Sequence, residues 1–310
     1  MKPIIKEFES SVIGKKVGYY VYKPQGEIKA IIQISHGMVE YIGRYNKLAE
    51  FLNEKGIMVV GNDHLGHGIT GDLNNEFGFF DNENGDEKVV EDLHKLTTII
   101  KAEYGELPYI LLGHSMGSFI ARQYLEKYHN DLTGCILSGT TGKNNLSSVG
   151  VQVSNLIISA KGSNYVSKLV DNLAIGTYNR KFNNSTNEVL GVEWLTRDKE
   201  VCKEYKLNPY CNFKFSTSAY KDVFKLITNI NKNKWFKEIP KKFPIYIISG
   251  DMDPVGNYGK GVNQFYNKLI KTGHNDITIK LYKDGRHEML NEINKEEVFL
   301  DLLQWIEKRI

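Results

Sequence analysis

The feature that most constrains this chain is a series of short apolar runs, each stopping at a small or polar residue. Ala30–Ser35 (AIIQIS) stops at His36-Gly37, Ile57–Asn62 (IMVVGN) at Asp63, and 109–113 (YILLG) at His114-Ser115. Further on, 135–138 (CILS) stops at Gly139, 245–249 (IYIIS) at Gly250-Asp251, and Ile277–Tyr282 (ITIKLY) at Lys283-Asp284-Gly285. Near-continuous apolar strands of this length suit a parallel sheet covered on both faces. Helical stripes separate most of them: Leu48, Phe51 and Leu52 over 45–55; Val89, Leu93, Leu96 and Ile100 over 89–104; Ile120, Tyr124 and Tyr128 over 118–129; Phe299, Leu302, Leu303 and Ile306 over 296–310. A hairpin, 7–12 and 16–22 around Gly14, precedes them. Strand, helix, strand with right-handed crossovers predicts α/β architecture with a mostly parallel, doubly wound sheet.

The alternation breaks between about 140 and 240, a stretch too long for a structureless loop. Its patterns predict helices over 147–159, 165–173 and 218–230. The expected organisation is a core of 1–139 and 241–310 with an inserted helical cap, or lid, at 140–240. The tail of the insertion, 231–242, holds five lysines and reads as a solvated linker.

Composition excludes several classes. Of 310 residues, 41% are hydrophobic and 25% charged, so the chain is neither mainly disordered nor collagen-like. Forty basic residues face 37 acidic ones, a net charge of +3, which gives no reason to expect a nucleic-acid partner. Cys135, Cys202 and Cys211 have neither metal-ligand spacing nor an even count, and read as reduced thiols. The first residues lack the apolar region of a signal peptide, and no apolar run reaches membrane-spanning length. A soluble cytoplasmic protein is expected.

Gly113-His114-Ser115-Met116-Gly117 has the G-x-S-x-G form between a strand and a helix. A sharp turn there strains the serine backbone and lifts its hydroxyl clear of the sheet, with flanking glycines removing side chains that would clash. Ser115 is therefore the candidate nucleophile, and it needs a base. Functional groups gather at the carboxyl ends of strands, favouring His36, His64, His114 and His287 over the helical His94 and His129. The chain order Ser, Asp/Glu, His leaves His274 and His287. His274 ends a helix entering a strand, at the wrong edge, so His287 is the expected base and acid. Asp253, deeper in its loop and stiffened by Pro254, is preferred as its partner; Asp251 is the alternative, and Asp284 is too close to His287 in sequence. The oxyanion donors are expected to be the amides of Met116 and Met38, the latter after His36-Gly37.

These residues resemble the monoacylglycerol lipase and lysophospholipase branch of the α/β-hydrolases over nearly the whole chain. The shared strings are His36-Gly37-Met38-Val39-Glu40 with Arg44-Tyr45, Asp63-His64-Leu65-Gly66-His67-Gly68, Gly113-His114-Ser115-Met116-Gly117, Ser249-Gly250-Asp251-Met252-Asp253-Pro254-Val255-Gly256 and His287-Glu288. Within the insertion, Asn179-Arg180-Lys181-Phe182, Trp194-Leu195-Thr196-Arg197-Asp198 and Asn208-Pro209-Tyr210 resemble the family's cap. The resemblance implies an α/β-hydrolase fold, a triad of Ser115, Asp253 and His287, and an oxyanion hole at Met38 and Met116. Two positions depart from the pattern: Ser118 stands where a second glycine is common, and Tyr41 where a histidine is common.

Around this core, His36, Gly37, Glu40, Arg44, Gly113, His114 and Gly117 are expected to play supporting roles. Glu40 and Arg44, four apart, are spaced for an ion pair behind the oxyanion loop. The two histidines and aspartate of 63–68 lie on a glycine-rich turn without a second ligand cluster, which favours a structural turn over a metal site. No metal or cofactor is implied. The expected activity is hydrolysis of monoacyl lipid esters through an acyl-enzyme, with apolar residues at 149–153, 156–158 and 169–170 divided about equally between acyl-binding surface and the cap's own core. The cap is expected to touch a membrane surface transiently. A peptidase or acyltransferase on the same triad, or a non-catalytic binding protein on this scaffold, are the competing readings.

Overall fold

Strands buried on both faces need a layer of helices on each side, and the computed structural model, which describes residues 2–182 and 190–310, has that form. Among the described residues the strands are β1 (Ile4–Glu9), β2 (Lys16–Tyr22), β3 (Ala30–Ser35), β4 (Ile57–Asn62), β5 (Tyr109–His114), β6 (Gly134–Ser138), β7 (Ile245–Gly250) and β8 (Ile277–Tyr282). They make one sheet in the order β1-β2-β4-β3-β5-β6-β7-β8. β2 runs antiparallel to β1 and β4; every other pairing is parallel.

The helices are α1 (Asn46–Asn53), α2 (Gly68–Asn74), α3 (Gly85–Tyr104), α4 (Met116–Tyr128), α5 (Asn145–Lys161), α6 (Lys168–Ala174), α7 (Lys199–Leu207), α8 (Thr217–Asn229), α9 (Asn233–Glu238), α10 (Lys260–Lys271) and α11 (Lys295–Glu307). Alternate strand residues feed two cores. Ile32, Ile34, Ile110, Leu112, Ile136 and Ile248 pack against α1 and α11. Leu111, Cys135, Leu137, Ile245 and Ile247 pack against α3, α4, α8 and α10. Among the described residues no helix is long and apolar enough to cross a membrane.

Two expectations shift. The first hairpin arm ends at Glu9, not at residue 12, because the Asp92 carboxylate on α3 takes the Ser10 hydroxyl (2.7 Å) and the Ser11 amide (2.5 Å) out of the ladder. The lysine-rich stretch 231–242 is not a solvated linker. It contains α9, which drives Trp235 and Phe236 into the core while its lysines stay at the surface.

Between β6 and β7 the chain builds α5 to α9. Helix α8 lies against α3 and α4, and α5 lies on α8. This segment stands at the carboxyl ends of the parallel strands, where Ser115, Asp253 and His287 also emerge.

Candidate active site

Strand β5 runs directly into α4, and the single residue between them is Ser115. Its backbone sits at φ 53°, ψ −121°, a conformation that costs about 1–3 kcal/mol and persists only when the surroundings impose it. Here they do. The Ser115 amide donates to the Ser138 carbonyl (2.9 Å), and the Ser115 carbonyl accepts from the Ser118 amide (2.8 Å) and hydroxyl (2.6 Å). A Cβ on Gly113 would strike the Gly117 carbonyl, and one on Gly117 would strike the Ser35 carbonyl, so backbone fills the space that side chains would need. Ser118, which departs from the family pattern, is thus a brace of the turn itself.

His287 follows β8 and is buried, as is Asp253, which follows β7. His287 Nδ1 and Asp253 Oδ1 are 2.9 Å apart. The Asp253 carboxylate also accepts from the Ser249 hydroxyl (3.1 Å) and the Val255 amide (2.8 Å), which aims it. With Nδ1 committed to Asp253, Nε2 is the nitrogen left for the cavity that His287 shares with Ser115. Asp251 instead donates its amide to the Tyr282 carbonyl (3.0 Å). Asp284 sits in an exposed turn with φ 58°. Burial disfavours the imidazolium of His287, but the Asp253 charge and hydrogen bond, helped by Glu288 and Glu40, outweigh it and raise its pKa above the ordinary 6.5.

The His287 ring packs in tilted contact with His114 (4.8 Å between centroids) and Trp194 (5.0 Å). Burial holds His114 neutral, at about 4, and its Nδ1 lies 3.2 Å from the Ser138 hydroxyl. Gly139, at φ 61°, passes so close that a Cβ there would lie 2.9 Å from His287 Cε1.

The loop after β3 is held from behind. The His64 amide donates to His36 Nε2 (2.9 Å), so His36 Nδ1 carries the proton that it gives to the Gly37 carbonyl (2.7 Å). Because that peptide is planar and trans, fixing the Gly37 carbonyl turns the Met38 N–H the opposite way, away from His36. Val39 has φ 56°, an outlier for a β-branched residue, and its amide donates to His67 Nε2 (3.2 Å). His67 Nδ1 in turn bonds the Leu65 carbonyl (2.9 Å). Burial pushes His36 down to about 3 and holds His64 and His67 well below their ordinary value, so all three are neutral. Asp63 accepts from the Ile42 and Ile69 amides (both 2.8 Å). The 63–68 segment is therefore a scaffold for the neighbouring loop.

The expected Glu40–Arg44 ion pair is present at 2.8 Å, but it is half of a larger clamp. Arg44 also bonds both oxygens of Glu288 (2.7 and 2.6 Å), while Glu40 Oε1 accepts from the Tyr45 hydroxyl (2.9 Å) and the Gly37 amide (2.5 Å). The guanidinium stacks over Tyr205 of α7. Burial resists the charge of Glu288, but Arg44 wins and brings its pKa down to about 2. The loop carrying Met38 and the loop carrying His287 are thus joined through one cation. Tyr41, the second departure, accepts from Asn208 Nδ2 (3.1 Å) and packs edge-on against Tyr210, contacting the intervening segment.

Ser115, His287, Met38 and Met116 line one cavity of about 1250 Å³, its mouth included. Phe119, Leu173, Ile175, Val223, Phe224 and Ile227 supply apolar walls, and Glu40 and Glu288 lie at the His287 side. Of the apolar residues expected there, Val170 is in the core and Val151, Val153 and Ile157 pack against it, as expected of about half, but Val149, Leu156 and Leu169 face outward (46, 74 and 63% exposed) instead of lining the cavity. Sequence reading missed Trp194, Gly139 and Glu288 as neighbours of His287. Glu288 and Trp194 left traces only in the His287-Glu288 and Trp194–Asp198 strings, and Gly139 only as the stop of a strand.

The family model described as Hydrolase_4: Serine aminopeptidase, S33 matches residues 26–294. The monoacylglycerol lipase of Mycolicibacterium smegmatis is 24% identical over 302 residues, covering 96% of this chain and 95% of that protein. The monoglyceride lipase of Homo sapiens is 25% identical over 299 residues, covering 93% and 86%. A highly thermostable carboxyl esterase from Bacillus coagulans, solved in complex with glycerol, superimposes with a TM-score of 0.92 at 29% identity, covering 100% of this chain and 99% of that one.

Proposed function

This chain belongs to the Hydrolase_4 family and is a serine carboxylic ester hydrolase of the monoacylglycerol lipase-like α/β-hydrolases, and from that premise we propose that it cleaves esters of a single acyl chain, a monoacylglycerol or a lysophospholipid. The observation that carries the reading is the shared cavity, with a strained serine and an aspartate-paired histidine at one end and apolar walls at the other.

In this mechanism His287 takes the proton of Ser115, whose oxygen attacks the ester carbonyl. The Met38 and Met116 amides hold the oxyanion; losing one such donor typically costs about 3 kcal/mol of transition-state stabilisation. Asp253 steadies the imidazolium, which then protonates the leaving alcohol. Water activated by the same imidazole releases the fatty acid from Ser115. Residues 140–240 act as a cap over a core of 1–139 and 241–310. The exposed apolar side chains of α5 and α6 give that cap its contact with a lipid surface.

The test is hydrolysis of a graded panel of p-nitrophenyl esters and monoacylglycerols by wild type and Ser115→Ala, with fluorophosphonate labelling of Ser115. Wild-type turnover and labelling, both lost in the variant, are expected; an active variant refutes the nucleophile. A second reading, an aminopeptidase, draws on the family description. Aminoacyl-anilides cleaved faster than esters would favour it.

A further inference from the structure

Arg122 lies on α4 two turns beyond Ser115 and is completely buried. Among the described residues no carboxylate is bonded to it. Its Nη1 donates to the Thr141 carbonyl (2.8 Å), and its Nη2 to the Ile230 carbonyl (2.8 Å) and, more loosely, to Asn231 Oδ1 (3.5 Å). The guanidinium carbon sits 3.8 Å from the Phe265 ring centre and 5.0 Å from that of Trp235, whose indole donates to the Arg122 carbonyl (2.6 Å). Burial lowers its pKa to about 9, which leaves it charged at neutral pH. The carbonyls at the C-terminal end of α8 and the two aromatic faces offset that charge.

The bonded carbonyls bracket the stretch that carries α5 to α8, ahead of α9 and β7. Thr141 is where the chain leaves the sheet; Ile230 and Asn231 are where α8 ends on the way back. Asn231 closes the gap by donating to the Gly142 carbonyl (3.2 Å). Each element held by Arg122 also forms a wall of the cavity: Phe119 one turn earlier on α4, Thr141 itself, and Ile227 one turn before Ile230 on α8. Three walls therefore meet at one planar group whose fork spans two carbonyls, which the single ammonium of lysine does not reproduce.

We propose that Arg122 is a positioning residue that fixes the width of the apolar end of the cavity and thereby sets the acyl-chain length the enzyme accepts. This rests on the reading of Ser115 as nucleophile beneath a cap of 140–240. Arg122 touches no reacting atom, so its loss leaves the chemistry at Ser115 and His287 in place.

The test compares kcat and KM for p-nitrophenyl acetate, octanoate and laurate in wild type, Arg122→Lys, Arg122→Ala and Asn231→Ala. Acetate, the shortest acyl group, makes the least use of the walls in question. The expected result for both Arg122 variants is acetate turnover within threefold of wild type and a fall of tenfold or more in kcat/KM for laurate, carried mainly by KM. Millimolar ethylguanidinium is expected to restore laurate turnover at least threefold in Arg122→Ala. Asn231→Ala, which leaves the guanidinium in place, is expected to shift the profile less, in the same direction. A proportional fall for all three esters, or an unchanged profile in folded variants, overturns the proposal. Should Arg122→Ala fail to fold, Arg122→Lys and Asn231→Ala decide by the same criteria. Absence of wild-type activity on any ester refutes the hydrolase reading itself, and this inference with it.

Discussion

Replacing Arg44 by Met is the most informative perturbation of the clamp. The change keeps an unbranched stem of similar length but leaves Glu40 and Glu288 buried without their shared cation. Breaking a buried pair by removing one partner costs about 3–5 kcal/mol. In the wild type Arg44 holds the Glu288 carboxyl well below its ordinary 4.5 against the pull of burial. The stability this contributes is complete above pH 4.5 and is lost as pH falls through about 2. In the variant burial outweighs what remains, the Asn291 amide bond (3.1 Å) and the nearby histidines, the Glu288 pKa rises above 4.5, and the sign reverses: stability is now lost as pH rises past that value. Urea unfolding at pH 5 and pH 8 reads both effects. The expected deficit is about 3–5 kcal/mol at pH 8 and smaller by about 1–2 kcal/mol at pH 5. Adding Glu288→Gln to the variant is expected to remove most of the pH dependence. A deficit below about 1 kcal/mol at pH 8, near the median for an exposed pair, or one equal at both pH values, refutes the reasoning.

Asp253→Asn is expected to lower kcat by about 10⁴. The pH profile of kcat/KM, which rises as His287 loses its proton at a pKa above 6.5, should move to lower pH in that variant; an unmoved limb refutes the pairing. Gly139→Ala places a methyl 2.9 Å from His287 Cε1; activity falling more than tenfold with a stability loss of only about 1–3 kcal/mol is expected from parallel kinetics and denaturation. Ser118→Gly removes the hydroxyl that braces the Ser115 carbonyl and should cost about 1–2 kcal/mol while leaving kcat within threefold.

The parallel strands were legible because burial on both faces leaves a continuous apolar run, and the runs of β3, β5, β7 and β8 ended at the loops that carry the candidate site. The strained turn at Ser115 was legible from its place between strand and helix, and Asp253, the deeper of the two loop aspartates, is the one bonded to His287. Helix α9 was hidden because five lysines dominate the composition of 231–242 and say nothing about Trp235, whose burial depends on Arg122 and Phe265 more than 25 residues away. The outward face of α5 was misread because an apolar side chain carries no sign of which surface it meets. The Arg44–Glu288 clamp and the Trp194 ring over His287 were illegible for the same reason: partners separated by 93 to 244 positions leave no local periodicity.

The cross-brace from Asn231 to Gly142, beside the Arg122 fork, gives the long excursion between β6 and β7 a narrow waist. Its two ends meet at the sheet whatever lies between them. Lengthening or exchanging the intervening helices changes closure entropy only slowly. The scaffold can therefore accept a transplanted roof with little disturbance below, provided the donor segment presents two backbone carbonyls at that waist.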